Sequence, residues 1–316
     1  MKHTFTYSHR ILMIVLLAGA CCILPVNLHA AQLFSSPDEA VKALQAAIGS
    51  KDKTALREIF GSDVQELLTG DKVQDANNAQ KFAAVLAQGY TLVKETDDRT
   101  TIDVGTNSWP MPIPLVRSNG YWHFDTAAGK EEIINRHIGK DELYAIGVCR
   151  AYVTAQQQYA STNPEASQGV KYAQRFKSKP GKKDGLYWPS AENEMASPFG
   201  SLVAEAYAEG YIRKSFHPFH GYYFKILTRQ GNAAPGGRMN YISHGNLTGG
   251  FALVAYPEYW GRSGIMTFIV NQSHQVFQRD LGEKTFRIAG EMKEYDPDSG
   301  WTLVQDEGIL NVVSEK

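Results

Sequence analysis

Two histidines three residues apart, His217 and His220, have the spacing of possible metal ligands. Zinc sites combine imidazoles with further ligands such as carboxylates, and His244 or Glu258 could complete such a set. However, Pro218 stands between the two histidines, and no helix is predicted there to aim both rings at one point. We therefore predict no metal and no cofactor. We interpret the pair as part of a loop, in which His217 and His220 would be the ligands if a metal were held.

A basic loop beside two aromatic residues is the second candidate for chemistry. Lys182 and Lys183 supply positive charge, and an aromatic pair follows at 187 and 188. Positive charge can bind an anion, and aromatic faces stack on sugars or other planar groups. The alternative interpretation is a solvated turn anchored by its aromatic side chains. The candidate binding residues are Lys183, Asp184, Tyr187, Trp188, His220 and Tyr222.

The sequence carries no further signature of catalysis. It has no Gly-x-Ser-x-Gly elbow, and its glycine pairs at 236–237 and 249–250 do not fit a phosphate-binding loop. Asp184, Glu258 and Asp280 could supply paired carboxylates for glycoside or peptide cleavage, but their separation decides that mechanism and cannot be read from the sequence. Cys149 lies on an apolar helical stripe, so we interpret it as a core residue rather than a nucleophile.

The first 30 residues have the pattern of a cleavable export signal. Lys2 and Arg10 give the chain a positively charged start, and residues 11–20 form an apolar run without charge. This run is shorter than the ~20 residues that a membrane-spanning helix needs. Cleavage after Ala30 predicts a periplasmic or secreted protein with no membrane span. The alternative is a lipoprotein anchored at Cys21, because residues 17–21 loosely match a lipidation motif.

The composition is that of a folded protein without a basic excess. Of 316 residues, 43% are hydrophobic and 21% are charged, which is enough apolar material for a real core. There are 32 Lys plus Arg and 33 Asp plus Glu, for a formal net charge of -1. Nucleic-acid binding depends on neutralising phosphates, so this balance argues against a nucleic-acid partner. We expect a small ligand or an envelope protein as the partner.

Residues 33–138 are predicted to form a first α+β unit that begins with helices. Ser36 and Glu39 are typical of a capped helix start, and Gly49 can end that helix. A second helix is predicted before Gly61 and a third at 75–88. Strands then follow at 90–95, 100–104, 113–117 and 121–125, and Asn119-Gly120 predicts a tight hairpin turn. This order resembles the cone-shaped fold of the nuclear-transport-factor-2-like superfamily.

Residues 139–316 are predicted to form a long linking helix and an antiparallel sheet. Gly139 is expected to interrupt the helical stretch from 131 to 159. A short helix is predicted at 199–208, and strands at 222–228, 250–256, 265–270 and 275–279, with the last two pairing through a turn. Glycines and prolines between the strands favour an antiparallel meander. A long helix feeding such a sheet resembles the globular half of pseudopilin-type proteins, although the hydrophobic assembly stalk is absent.

Several stretches together resemble a bacterial family known only as domain of unknown function 2950. They are residues 109–116 (WPMPIPLV), 122–129 (WHFDTAAG), 180–188 (PGKKDGLYW), 220–227 (HGYYFKIL), 234–237 (APGG), 249–255 (GGFALVA) and 266–272 (MTFIVNQ). The resemblance covers residues 34–301. It implies an exported protein, but it assigns no activity to any residue.

These observations leave three functional hypotheses. The first is a non-catalytic binding or assembly module of the cell envelope. The second is an envelope hydrolase or metal-dependent enzyme, for which the Asp184 loop and the His217/His220 loop must share one cleft. The third is a pseudopilin-like assembly subunit, for which the second sheet must pack on the helix at 141–159.

Overall fold

The structure is a computed structural model that describes residues 31–162, 170–190, 194–211 and 218–305. The predicted leader, with Cys21 and the cut after Ala30, lies outside the described residues, and so does His217. The described chain is a mixed α+β protein, which confirms the predicted fold class. The helices are α1 (Pro37–Ser50), α2 (Lys53–Phe60), α3 (Lys72–Gln88), α4 (Thr126–Thr162), α5 (Gly200–Glu209) and α6 (Thr285–Glu291).

The strands form four antiparallel or mixed groups. They are β1 (Tyr90–Thr96), β2 (Arg99–Val104), β3 (Trp109–Pro110), β4 (Leu115–Ser118), β5 (Tyr121–Phe124), β6 (Tyr222–Leu227), β7 (Arg229–Gln230), β8 (Met239–Asn240), β9 (Ile242–Ser243), β10 (Asn246–Leu247), β11 (Ala252–Pro257), β12 (Met266–Asn271), β13 (Phe277–Asp280), β14 (Glu294–Tyr295) and β15 (Thr302–Leu303). Turns of 3-10 helix cover Ser62–Leu67 and Gly282–Lys284.

Helix α1 begins where the sequence predicts. The Ser36 hydroxyl accepts a hydrogen bond from the Glu39 backbone N–H at 3.2 Å, which satisfies one of the unpaired donors of the first turn. The Glu39 carboxylate accepts from the backbone N–H of Ser35, at 2.9 Å. The prediction that Gly49 ends this helix is wrong. The helix runs one residue further, and Lys51 takes the left-handed cap conformation with φ 55°.

The first sheet has the strand order β1-β2-β4-β5, and β3 also pairs with β2. Asn119 and Gly120 join β4 to β5 with φ values of 51° and 85°, as a two-residue turn with two positive φ angles requires. This confirms the predicted hairpin. Alternate residues of the sheet face α1 and α2, where Ile102, Leu115 and Phe124 are buried in a first apolar core.

One helix joins the two halves of the chain. Helix α4 runs without interruption over 37 residues, so it is about 55 Å long. The prediction that Gly139 breaks it is wrong, because a lone glycine inside a helix costs only about 1 kcal/mol and packing on both sides outweighs that. The predicted boundary between 138 and 139 therefore falls inside α4. The division of the chain into two units stays a prediction.

The second sheet has the order β15-β13-β12-β11-β6, with antiparallel pairing throughout. Its strands β6, β11, β12 and β13 confirm the four predicted strands, and β13 pairs with β12 as expected. A small group, β14-β7-β8, departs from the predicted meander because β14 pairs with β7 in parallel.

The second sheet packs on the C-terminal part of α4. Cys149 and Tyr152 of that helix are completely buried in a second apolar core with the strand residues Leu253 and Phe268. Burial raises the pKa of the Cys149 thiol, as expected for an inert core cysteine. None of the helices in the described ranges combines the length and the apolar composition that crossing a membrane requires.

Candidate functional site

The basic loop predicted to bind a ligand is closed by its own hydrogen bonds. The Ser178 backbone N–H donates to the carbonyl of Tyr187 at 2.8 Å. The Asp184 carboxylate accepts from the Lys179 backbone N–H at 2.9 Å, and the Arg175 guanidinium lies 3.7 Å from its other oxygen. Asp184 therefore has a structural role in this turn.

Lys183 and Trp188 contact each other directly. The Lys183 ammonium lies 5.6 Å from the centre of the Trp188 ring, within the range of a cation–π interaction. The Trp188 side chain is only 6% exposed, and its indole N–H donates to the Met195 carbonyl at 3.3 Å. Tyr187 is partly buried against the same core. The aromatic faces of the loop therefore pack inward, and the lysines are what it presents to solvent.

Asp184→Ala is expected to lower the free energy of unfolding by about 1.5 kcal/mol, because a surface turn loses one hydrogen bond to a charged group. Denaturant unfolding measures this. Glu131→Ala is the matched control, since Glu131 is an exposed carboxylate with no hydrogen bond or ion pair to any described residue. A loss above roughly 3 kcal/mol for Asp184→Ala would contradict a purely local role.

His220 and Tyr222 lie inside the molecule. His220 is 2% exposed, stacks on Tyr144 with ring centres 3.8 Å apart, and places its Nε2 2.7 Å from the Glu209 carboxylate. Its φ of 45° is in the left-handed region, which is uncommon for a residue with a side chain. Tyr222 is completely buried, and its hydroxyl donates to the Met266 carbonyl at 2.8 Å.

A buried polar cluster centres on Asp141, where Gly221, the neighbour of His220 in the chain, packs against α4. We call it the Asp141 junction, and it consists of Gln74, His137, Asp141, His220 and Gly221. The Gln74 amide of α3 donates to Asp141 of α4 at 2.8 Å. The other Asp141 oxygen lies 3.1 Å from His137 Nε2, without an aligned hydrogen bond. Gly221 packs so closely that an added Cβ would lie 2.6 Å from that same oxygen.

Burial controls the ionisation of the Asp141 junction. It raises the pKa of Asp141 to about 8, and the hydrogen bond from Gln74 offsets this only in part. Burial also lowers the pKa of His137, against the attraction of Asp75 and Asp71. At neutral pH the junction therefore holds a mostly protonated acid beside a neutral imidazole. Such a pair needs no charge compensation inside the protein.

Helix α4 separates the two predicted loops. The Tyr159 hydroxyl donates to the Lys183 carbonyl at 3.1 Å, whereas His220 stacks on Tyr144. Fifteen residues of α-helix span about 22 Å, so the Asp184 loop and His220 do not share a cleft. No group of three or more His, Cys, Asp or Glu side chains with metal-binding placement occurs in the described ranges.

A groove opens on the first sheet, away from all the candidates above. Its volume is about 450 Å³. Its apolar lining residues are Pro37, Leu92 and Trp122, and its polar lining residues are Lys94, Asp97, Thr100 and Arg117. We call it the sheet groove. Lys94 pairs with Thr100 across β1 and β2, and Arg117 pairs with Trp122 across β4 and β5.

The charged rim of the sheet groove is two cations and one carboxylate. Lys94 lies 2.7 Å from Asp97, and both side chains are well exposed. The Lys94 ammonium, more than the Arg117 guanidinium, holds the pKa of Asp97 below its ordinary value. Among the described residues, none forms a hydrogen bond or ion pair with the Arg117 side chain. The groove therefore has one cationic group, the Arg117 guanidinium, that no described residue holds in a hydrogen bond or ion pair.

Comparison with known proteins shows which family the chain belongs to, and it assigns no activity. Residues 31–304 match the family described as protein of unknown function (DUF2950). The chain belongs to this family. No curated protein and no solved structure matches the chain. The resemblances of the two predicted units to the nuclear-transport-factor-2-like and pseudopilin folds therefore stay predictions. The second sheet does pack on α4, as a pseudopilin-like subunit would require.

The groove residues of this DUF2950 protein were missed by the sequence reasoning. Lys94 and Arg117 occur in strands, where charged residues are usually solvated and attract no notice. The alternation of side chains along a strand could have revealed Arg117. Arg117 is two residues from Leu115, so both side chains face the core side of the sheet. A cationic residue on the core-facing side of a strand, opposite a tryptophan, indicates that the apolar core stops at this position. A ligand can contact the sheet there.

Proposed function

We propose that this chain is an exported protein of the cell envelope that binds a small ligand in the sheet groove and catalyses no reaction. One observation carries the proposal: a groove of about 450 Å³ in which the apolar side chains Leu92 and Trp122 adjoin exposed charged groups. Small-molecule sites are typically concave, mostly apolar, furnished with a few polar groups, and about 300–1,000 Å³ in volume.

The burial of the ionisable groups elsewhere supports a binding role over catalysis. A general acid or base must come within hydrogen-bond reach of its substrate. Asp141 and His220 expose 0% and 2% of their surfaces, because packing between the two halves closes the Asp141 junction. The hydrolase alternative needs the Asp184 loop and the histidine loop in one cleft, and their separation along α4 argues against it.

Export is part of the proposal and rests on the leader pattern. The family match begins at residue 31, directly after the expected cut at Ala30, and this coincidence supports a mature chain that starts there. Lipidation at Cys21 remains the alternative outcome. The two differ in mass by the retained residues and the lipid, so one mass measurement distinguishes them.

A substitution that fills the sheet groove with a larger side chain tests the ligand site without changing a core residue. We expect Lys94→Trp to reduce ligand retention at least tenfold, because Lys94 is exposed and lines the groove, where an indole would occupy the ligand's space. Val93→Trp is the matched control, since Val93 is an exposed neighbour that faces the other side of the sheet. Lys94→Gln separates loss of charge from loss of space.

The measurement is native mass spectrometry of the full chain, expressed with its own leader and recovered from the envelope fraction. We expect a mass for a chain starting at Ala31 and a small molecule bound to wild type and Val93→Trp but reduced at least tenfold in Lys94→Trp. A wild-type protein without any bound small molecule, or a Lys94→Trp protein that retains it fully, would contradict the groove as the ligand site. Full-length protein in the cytosol with Met1 attached would contradict export.

A further inference from the structure

We infer that the sheet groove selects an anionic ligand with a flat apolar body, whose carboxylate, sulfonate or phosphate group is bound by Arg117. The inference rests on the proposed function and adds the chemical class of the ligand. Its basis is the position of Arg117, the charges around it and the apolar surface beside it.

Strand register places Arg117 next to the apolar surface. Arg117 lies directly opposite Trp122 in the β4–β5 hairpin, and both face the side of Leu115 that carries the first core. Side chains on directly opposed residues of an antiparallel pair are close neighbours. A planar group resting on the Trp122 side chain would therefore have the Arg117 guanidinium at its edge.

The charges of the groove leave Arg117 available. Lys94 is engaged by Asp97 at 2.7 Å, whereas no described residue pairs with the Arg117 side chain. Counting Lys94, Arg117 and Asp97, the lining carries a formal charge of +2 − 1 = +1. A cationic ligand would meet this positive charge, and a neutral one would gain little from it. An anion gains a charge-assisted contact with the guanidinium, whose geometry allows two parallel hydrogen bonds.

The apolar lining sets the shape of the remainder of the ligand. Leu92 and Trp122 are partly buried against the first core, so they present fixed apolar faces rather than mobile side chains. Pro37, at the first position of α1, adds a third rigid group. A flat aromatic or conjugated body buries most area against such a surface, whereas a hydrated polar body would lose water without compensation.

A pair of probes that differ only in charge tests the ligand class. The probes are 2-naphthoate and its neutral analogue 2-naphthamide, titrated calorimetrically into the full chain recovered from the envelope fraction. We expect naphthoate to bind at least tenfold more tightly than naphthamide, because a hydrogen bond to a charged group is worth about that factor. We also expect this preference to weaken with added salt, since the rim is exposed.

Three variants separate Arg117 from general electrostatics. Arg117→Gln should remove the preference for naphthoate and leave naphthamide binding unchanged. Asp97→Asn should strengthen naphthoate binding several-fold, because it removes the one carboxylate of the lining and releases Lys94. Arg99→Gln is the matched control: it changes the net charge equally on the same sheet, but Arg99 pairs with Val116 on the opposite face and contacts Glu95.

The outcomes distinguish the inference from the proposed function. Equal binding of both probes, unaffected by Arg117→Gln, would overturn the anionic class while leaving the groove as a ligand site. Failure of both probes to bind wild-type protein would overturn the inference and count against the groove itself. An equal loss of naphthoate binding in Arg117→Gln and Arg99→Gln would show that only overall charge matters, and would overturn the role of Arg117.

Discussion

Gly221→Ala is expected to lower the free energy of unfolding by roughly 3 kcal/mol or more. The added methyl group both clashes with buried neighbours and stands on a backbone whose φ is unfavourable for any side chain. An added Cβ would lie 2.6 Å from a carboxylate oxygen of Asp141 and 2.7 Å from the Cβ of Ser263. Neither neighbour can retreat easily, since both are buried. In addition, the φ of Gly221 is 67°, where any side chain is strained.

Gly120→Ala measures the cost of a side chain at positive φ without a steric clash. Gly120 also has a positive φ, of 85°, but an added Cβ would meet no atom within 4 Å. We therefore expect Gly120→Ala to cost only about 1 kcal/mol in denaturant unfolding. Similar losses for the two variants would mean that the Asp141 junction yields to an extra methyl group, and that its close packing is not what fixes the two halves.

Asp141→Asn is expected to gain stability relative to wild type as the pH rises from about 4 to about 8. Burial raises the pKa of Asp141 to about 8, against about 3.9 in an unfolded chain. Between these values the native state holds a proton that the unfolded state has lost, so the stability from this group is complete below pH 4 and disappears as pH passes 8. The expected slope is roughly 1.4 kcal/mol per pH unit.

An asparagine suits this position because it imitates the protonated acid. Its carbonyl can accept from the Gln74 amide, and its amide can donate towards His137 Nε2, as the protonated carboxyl would. Asp98→Asn, on the exposed β1–β2 turn, is the control for removing one surface carboxylate. Parallel stability curves for wild type and Asp141→Asn across this range would show that Asp141 is ionised in the native protein.

Local patterns in the sequence predicted local structure well. Ser36 and Glu39 placed the start of α1 correctly, and Asn119-Gly120 placed the β4–β5 turn, because each depends on hydrogen bonds or φ angles within a few residues. The C-terminal strands were found from local runs of aromatic and β-branched residues between glycines and prolines. Strands of two residues, such as β8 and β10, were missed because they are too short to show any alternation.

The groove and the Asp141 junction depend on residues that are distant in the chain. Gln74 and Asp141 are 67 positions apart, and nothing in either local sequence signals that they meet. His220 was singled out as a possible ligand, yet its neighbours turned out to be Tyr144 and Glu209, which no spacing rule connects to it. These contacts depend on how α3, α4 and α5 pack together. Local patterns in a single sequence do not predict that packing.

The unbroken course of α4 has a mechanical consequence. Its N-terminal turns carry Ile133 against the first core, and its later turns carry Cys149 and Tyr152 into the second. A continuous helix of this kind behaves as a stiff rod, so the two cores cannot swing about the glycine that lies between them. A fragment that ends at residue 138 would contain only the N-terminal part of α4, and the second core would lose the helix that covers it. Engineered forms of this protein should therefore keep α4 intact.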